Sequence, residues 1–454
     1  SQALKAQGDV KTPQLAAMNA DQSSDGSSDL RAGAFKRTIV PGTQAGFHGV
    51  AVSATNRDDI SDFTISVAGG TAGIAISAGV NVIANTTRAY VGENATVNQD
   101  TSTAGALQSV LVAAGSDFKH LAVAGTLAAG TVGVSPAVDV TVASNSAEKP
   151  TAEATIKAGA VVKAKNDVTV EAHSREDILL AGFGIAAGYV GVGGAVNVLV
   201  IDNFTSASIA GTVYAGGDVL VYATDDTSID VISGALAAGF VGVGGSVGVM
   251  TLDKTTQAFI ADGAVVDALG NGTGLSGILD GTNTGSAFGT MTAHGVIVQA
   301  QSTEDLFHLA VAGGAGFVGV SGGVAVTLID SDTHAFIGNA RINQADPDSD
   351  GIVNEEAHAS QDVVVGASNK VSATTFAGAV AGGFVGVGGA VDVGSIKNDT
   401  SAGIRTDALV NAAHDVVVNA LGIKDVDGYA FSGAGGLVGL SASVSVWSIG
   451  SEIQ

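Results

Sequence analysis

Three aspartates at alternate positions, Asp346, Asp348 and Asp350, are followed at once by Gly351 in the stretch DPDSDGIVNEE. Carboxylates spaced this way around a sharp glycine turn can wrap a hard cation, and D-x-D-x-D-G opens the calcium loop of that kind. The seventh position, Ile352, would offer its backbone carbonyl. The twelfth is Ala357, so Glu355 or Glu356 would have to supply the bidentate carboxylate. The expected ion is a structural Ca2+ on Asp346, Asp348, Asp350, Ile352, Glu355 and Glu356. The bland reading is a solvated acidic loop.

Other chemistry-bearing residues are less suggestive. Acidic pairs recur along the chain at Asp58-Asp59, Glu176-Asp177, Asp225-Asp226 and Glu304-Asp305. Facing carboxylates can hydrolyse glycosides when their separation suits. A catalytic pair need occur only once, however, and recurrence marks a structural position. The eight histidines show no metal-ligand spacing, although His120 and His308 occupy similar places in their repeats. Gly191-Val-Gly-Gly194 lacks the Gly-Lys-Ser/Thr of a phosphate loop. No catalytic or cofactor-binding residue is assigned, and the chain is read as a non-enzyme.

The elements that would carry these residues are repeats. One segment occurs seven times, starting at Thr71, Thr131, Tyr189, Phe240, Phe317, Phe384 and Leu437, with starts 51 to 77 residues apart. In the third copy Val190, Val192, Val196, Val198 and Val200 share one face of a strand. Gly191, Gly193, Ala195, Asn197 and Leu199 share the other. A nearly bare face lets a second sheet come unusually close. Between these segments lie short β-branched runs punctuated by Gly, Asn or Asp, such as Asp362-Val-Val-Val and Asp415-Val-Val-Val. Polar stretches at Asp202–Thr205, Asp253–Thr256 and Lys397–Thr400 recur in register and should form a column. The expected fold is all-β: a parallel β-solenoid of about seven modules, each carrying a glycine-rich long hairpin. Tyr189, Phe240, Phe317 and Phe384 are expected as an aromatic ladder inside the array.

Residues 1–45 are polar and of low complexity, which predicts a flexible arm; residues 46–454 form the array, with insertions near 262–294 and 340–361. The composition fits: 65 glycines, 5% aromatics and 46% apolar residues. A net charge of −24 repels nucleic acid. The absence of cysteine excludes a disulfide scaffold but not secretion. There is no run of about 20 large apolar residues, so no membrane-spanning helix is expected. An outer-membrane barrel would need aromatic girdles, and one Trp and five Tyr build these poorly.

Asn56-Arg-Asp-Asp-Ile60, the Val-Gly-Val-Gly-Gly-Ala-Val core and the Asp-Val-Val-Val rung together resemble the giant filamentous adhesins of Gram-negative bacteria, in particular the leukotoxin-type family. The resemblance covers about Gly46 to Gly450. It implies an extracellular, β-helical surface protein that mediates attachment or aggregation, as in a biofilm, and it carries over no catalytic residue. The chain is short for that family and shows no secretion domain or anchor. That reads as a fragment, a processed product or a self-assembling subunit. The expected partners are a second copy, stacked end to end into a filament, and surface glycans or host matrix proteins. The alternative function is a β-helical polysaccharide-binding or polysaccharide-cleaving protein.

Overall fold

Extended chain dominates because the repeats alternate strictly, and a side-chain period of two admits only strand. The computed structural model describes residues 11–13, 41–43, 48–146, 149–345 and 353–453. From residue 48 onward it is a parallel β-solenoid of seven coils, without helix among the described residues. The fourth coil is the plainest. A first arm, Val219–Ala238, turns at Gly239 into a second arm, Val241–Ile260, and a short side, Val265–Ala268, closes the triangle. In the third coil both arms form one bent strand, Val168–Ile209, closed by Thr212–Ala215. Of the residues expected as a flexible arm, only Lys11–Pro13 and Pro41–Thr43 are described, and they pair antiparallel; the rest lies outside the described residues.

Every arm pairs in parallel with the same arm of its neighbours, residue for residue. Val168 aligns with Val110 and Val219, and Val190 with Val132 and Val241. The parallel solenoid is therefore as the repeats implied, but its long hairpins are not hairpins. The two arms of a coil meet face to face, and their amides are spent on the coils above and below. The reason lies in the bare inner positions. A Cβ on Gly193 would stand 2.5 Å from the Leu236 carbonyl, and one on Gly191 would stand 2.8 Å from that of Ala238. Backbone thus nests against backbone, as the glycine pattern predicted. The only antiparallel hairpin of the array among the described residues lies in the 262–294 insertion. There Leu275–Asn283 pairs with the start of Phe288–Ala315, Ile278 packs with Ile297 and Val364 on the outer side of the first arms, and Leu279 lies over Gly366.

The coil is narrow at its tip and wide at its base. At the tip a glycine column runs through Gly188, Gly239, Gly316, Gly383 and Gly436, and a Cβ on any of the last four would overlap the carbonyl of the one before. The interior gains volume away from the tip. Small residues such as Ala310, Ala325 and Ala390 give way to a belt of Ile178, Leu180, Leu199 and Ile201 with their counterparts. At the base all three sides contribute: Val168, Val170 and Ala172, then Ala207 and Ile209, then Val213 and Ala215. Each valine, leucine or isoleucine among them, sealed from water, contributes about 1.5–3 kcal/mol before chain entropy is charged against it.

Tyr189, Phe240, Phe317 and Phe384 stack with ring centroids 4.8–5.0 Å apart. The ladder exists, but it stands on the outer rim of the tip and is not inside the array; the four rings are 44–59% exposed. The nested glycines leave no interior volume there, so the residue after each tip glycine must point outward.

The inner and outer glycines should respond oppositely to a methyl group. Gly193→Ala should lower unfolding stability by about 1–3 kcal/mol, the scale of overpacking. Gly245, with nothing within 4 Å of a built Cβ, should accept Ala with a change under about 0.5 kcal/mol. Urea unfolding of both variants checks this, and equal losses would contradict the nested inner face.

Candidate functional site

Between the aliphatic belt and the three-sided base lies a polar layer. Parity places it. In the third coil the inward positions below Ile178 and Ile201 are Glu176 and Ser174 on the first arm, and Asn203 and Thr205 on the second. Parallel register stacks these positions into columns. Ser174 lies over Asp225, and Asp225 over Ser302 and Asn369; Glu176 lies over Thr227 and Glu304; Asn203 lies over Lys254 and Ser331.

Lys254 is the hub. Its Nζ stands 2.6 Å from Asp225 Oδ1 and 3.2 Å from Glu304 Oε1, and it donates to Thr227 Oγ1 at 2.7 Å. Glu176 accepts from Ser174 Oγ at 2.6 Å and from Thr227 Oγ1 at 2.9 Å. Glu304 Oε1 accepts from Ser302 at 2.6 Å and Ser331 at 2.7 Å, and Asn369 Nδ2 donates to Ser331 at 3.0 Å. All of these side chains are buried. Burial, then the nearby Asp225, pushes the Glu176 carboxyl up to about 8, so it is neutral at pH 7. Burial alone would lower Lys254, but Asp225, Glu304 and Glu176 outweigh it and hold the ammonium well above the usual lysine range. Buried charges persist only when paired and hydrogen-bonded, and this layer supplies both.

The acidic pairs thus divide. Asp58, Glu176 and Glu304 share one column on alternate coils, but Asp225 sits two positions away, in the Ser174 column. The polar stretches Asp202–Thr205, Asp253–Thr256 and Lys397–Thr400 do form columns, as expected. The three enclosed carboxylates cannot meet a polysaccharide, because no solvent reaches them.

Nearer the tip two buried histidines serve a similar bridging purpose. His120 Nε2 lies 2.9 Å from Thr141 Oγ1, and His308 Nδ1 lies 2.8 Å from Thr327 Oγ1. They do not align, contrary to the expectation from their places in the repeats. His120 shares a column with Ile178, Ile229 and Leu306, whereas His308 follows Leu180 and Val231. Burial pushes the His308 ring down to about 4, so it is a neutral bridge.

Of the expected calcium ligands, Asp346, Asp348, Asp350 and Ile352 lie outside the described residues. Glu355 and Glu356 line a cleft at the base with Lys163, Tyr214, Asp267 and Asn354. One cluster was not anticipated. At a corner of the sixth and seventh coils, His414 Nδ1 stands 2.8 Å from Asp362 and 3.3 Å from Asp415. The hydrogen bond to Asp362, then the charges of Asp415 and Asp362, raise the imidazole above its usual range. Asp362 also accepts the Asp415 amide at 3.2 Å. Asp167 does the same for the Asp218 amide, and Asp218 for that of Gly295. Asp167, Asp218 and Asp362, each placed before a Val-rich rung, are therefore corner clamps between coils. The aligned Asp362 and Asp415 rungs carried that signal in the sequence.

Two variants test the sealed layer. Glu176 has its proton affinity raised on folding, so the native state holds an extra proton between the unfolded value near 4.5 and about 8, and stability falls as pH rises through that window. Glu176→Gln should therefore gain in Tm over the parent progressively from pH 4.5 to 8, then level off. Lys254→Met strands Asp225 and Glu304 and should cost about 3–5 kcal/mol. A pH-independent effect of Glu176→Gln would contradict the assignment.

No family model matches the chain, and neither the curated proteins nor the solved structures contain a match to it.

Proposed function

We propose that the chain is an extracellular structural or adhesive repeat protein of a bacterial surface, of the filamentous-adhesin kind, acting through its outside. The observation that carries this reading is the register. Each coil repeats the outward positions of the last, so one outward residue type becomes a row at the strand spacing of about 4.8 Å. Repeated rows favour multivalent attachment, in which weak contacts add through high local concentration. The sealed interior supports the same reading, since its carboxylates and Lys254 are committed to one another. Copies stack end to end in this proposal, since each coil templates the next in parallel register, residue for residue, and a strand edge can template another chain in the same way. A structural Ca2+ held by Asp346, Asp348 and Asp350 with Glu355 or Glu356 belongs to the proposal as a clamp on the 340–361 insertion.

Beads coated with the chain should adhere to immobilised matrix proteins or surface glycans while releasing no reducing ends from soluble polysaccharides. Such release would establish the polysaccharide-cleaving alternative, and failure to adhere to any surface would remove the adhesive reading. Negative-stain images at high protein concentration should show filaments; dispersed particles at every concentration would remove end-to-end stacking. Calcium should raise Tm relative to chelator in the parent but not in Asp348→Asn/Asp350→Asn, and identical melting curves would eliminate the ion.

A further inference from the structure

The second arms turn an inverted face to the outside. In an ordinary half-buried strand the β-branched side is inward. Here Gly191, Gly193 and Ala195 are inside, and Val190, Val192, Val196 and Val198 point out. Register extends each of these into a row. Val132 to Val438, Val138 to Val444 and Val140 to Val446 are valine in all six coils from the second to the seventh; the Val134 row ends in Leu440. Neighbouring valines shade one another, yet Val192 and Val391 remain 37% exposed and Val444 51%. No described element packs on this face. Between the first and last row it carries no charged side chain, although the chain has a net charge of −24.

Six strands at about 4.8 Å, read over nine residues at about 3.3 Å, make a flat surface of roughly 30 Å by 30 Å, or about 900 Å². A monomer seldom leaves so large a contiguous apolar patch uncovered. A stable interface needs about 800 Å² per partner.

We infer that this valine face docks on the same face of a second copy of the chain, forming a two-fold dimer by sheet-on-sheet packing. Three observations favour that occupant. The area suffices without any other contact. The rows repeat at the strand spacing, so an identical face stays in register across all six coils, and a surface of another period would drift out of it. Charge also fits a two-fold arrangement. An acidic row, Asp202, Asp253 and Asp330, borders the face on its base side, and Lys397 ends that row. A two-fold axis lying in the interface along the solenoid axis sets the strands of the two copies antiparallel, so each acidic row lies beside the partner's uncharged tip and the two rows stay apart. A lipid surface fits less well, because the row that borders the face is acidic and the negative potential of a membrane surface repels it. This inference is separate from end-to-end stacking: the lateral contact closes at two copies, whereas stacking is open-ended.

Sedimentation equilibrium of the full chain should give a dimer that does not grow further through this contact. Val243→Glu/Val324→Glu should weaken it by roughly 100-fold or more, as burying unpaired charge demands, with an unchanged circular dichroism spectrum. Any filaments should persist in that variant, which separates the two modes. Because the chain lacks cysteine, Val247→Cys offers a second reading in a folded protein: it should cross-link to itself across the face, and Cys placed at the outward Lys163 of the short side should not. A monomer at all concentrations, a dimer indifferent to the two glutamates, or cross-linking equal at both cysteines would overturn the inference. So would a monomeric parent that co-sediments with phosphatidylcholine vesicles through the same valines.

Discussion

Close approach of two backbones at the tip of every coil is the constraint from which the rest follows. Sheets separated by ordinary side chains stand about 10 Å apart. Here the inner faces of Val190–Val196 and its partners carry mostly glycine and alanine, and carbonyls such as Leu236 O and Gly313 O fill the places of Cβ atoms. Dispersion and dehydration of backbone then replace a jigsaw of large side chains as the source of cohesion. The bulky residues have nowhere to go but outward. That is why a chain with 46% apolar residues and 5% aromatics can be rich in valine and still have a nearly side-chain-free core at its tip.

Moving from tip to base, the interior widens and its contents change in step. Local exchanges of volume keep it filled. Gly248 stands where a Cβ would run into the His308 ring, Gly182 makes room for Asn197, and Gly394 and Gly428 together make room for Trp447. A glycine in these repeats therefore has two meanings: some admit a carbonyl and others admit a side chain from the facing arm or the next coil. The polar layer around Lys254 extends the same logic to charge. One ammonium serves carboxylates from two coils, and a neutral Glu176 donates and accepts without adding to the charge already buried. A buried network of this sort is poor evidence for stability and better evidence for register. A slip by one coil would bring Lys254 opposite the wrong partners.

Much of this was legible in the sequence, and the limits have physical causes. Strict alternation in seven copies implied strands, and coincidence of the rungs implied parallel stacking. Whether the two arms bonded to each other or to their neighbours was not encoded in alternation, since a hairpin and an arch share the same pattern; only the depth of the bare face distinguishes them. The aromatic ladder was legible in its members and not in its side: the rings stack, but outside the array. Parity put Tyr189 beyond the last inward glycine, but the lack of interior room at the tip decided its direction. Lys254 was readable too, for Met250, Leu252 and Lys254 share one face and the first two are plainly core. Recognising it required treating a lysine at an inward position as a partner for the acidic columns. The trio of Asp362, His414 and Asp415 depends on two adjacent coils meeting at a corner, a relation that sequence spacing alone reaches only through alignment of the rungs.

Charge and apolar surface are segregated along each coil, and this segregation reconciles a net charge of −24 with a positive mean hydropathy. In the third coil no charged residue lies between Asp177 and Asp202, and in the fourth none lies between Asp230 and Asp253. Where an aspartate does occur within this zone it is inside: Asp392 accepts from Thr375, Ser445 and the Trp447 indole at 2.8–2.9 Å, and Asp139 is buried with its carboxyl pushed up to about 6, chiefly by that burial and then by Asp62. Outward charge is thereby confined to the wider base. Repulsion between copies is strong when bases face each other and weak when outer tip faces meet. A chain built this way keeps its outward charge at the base and leaves one outer surface uncharged, and that surface is set by the same inward glycines that expelled the valines.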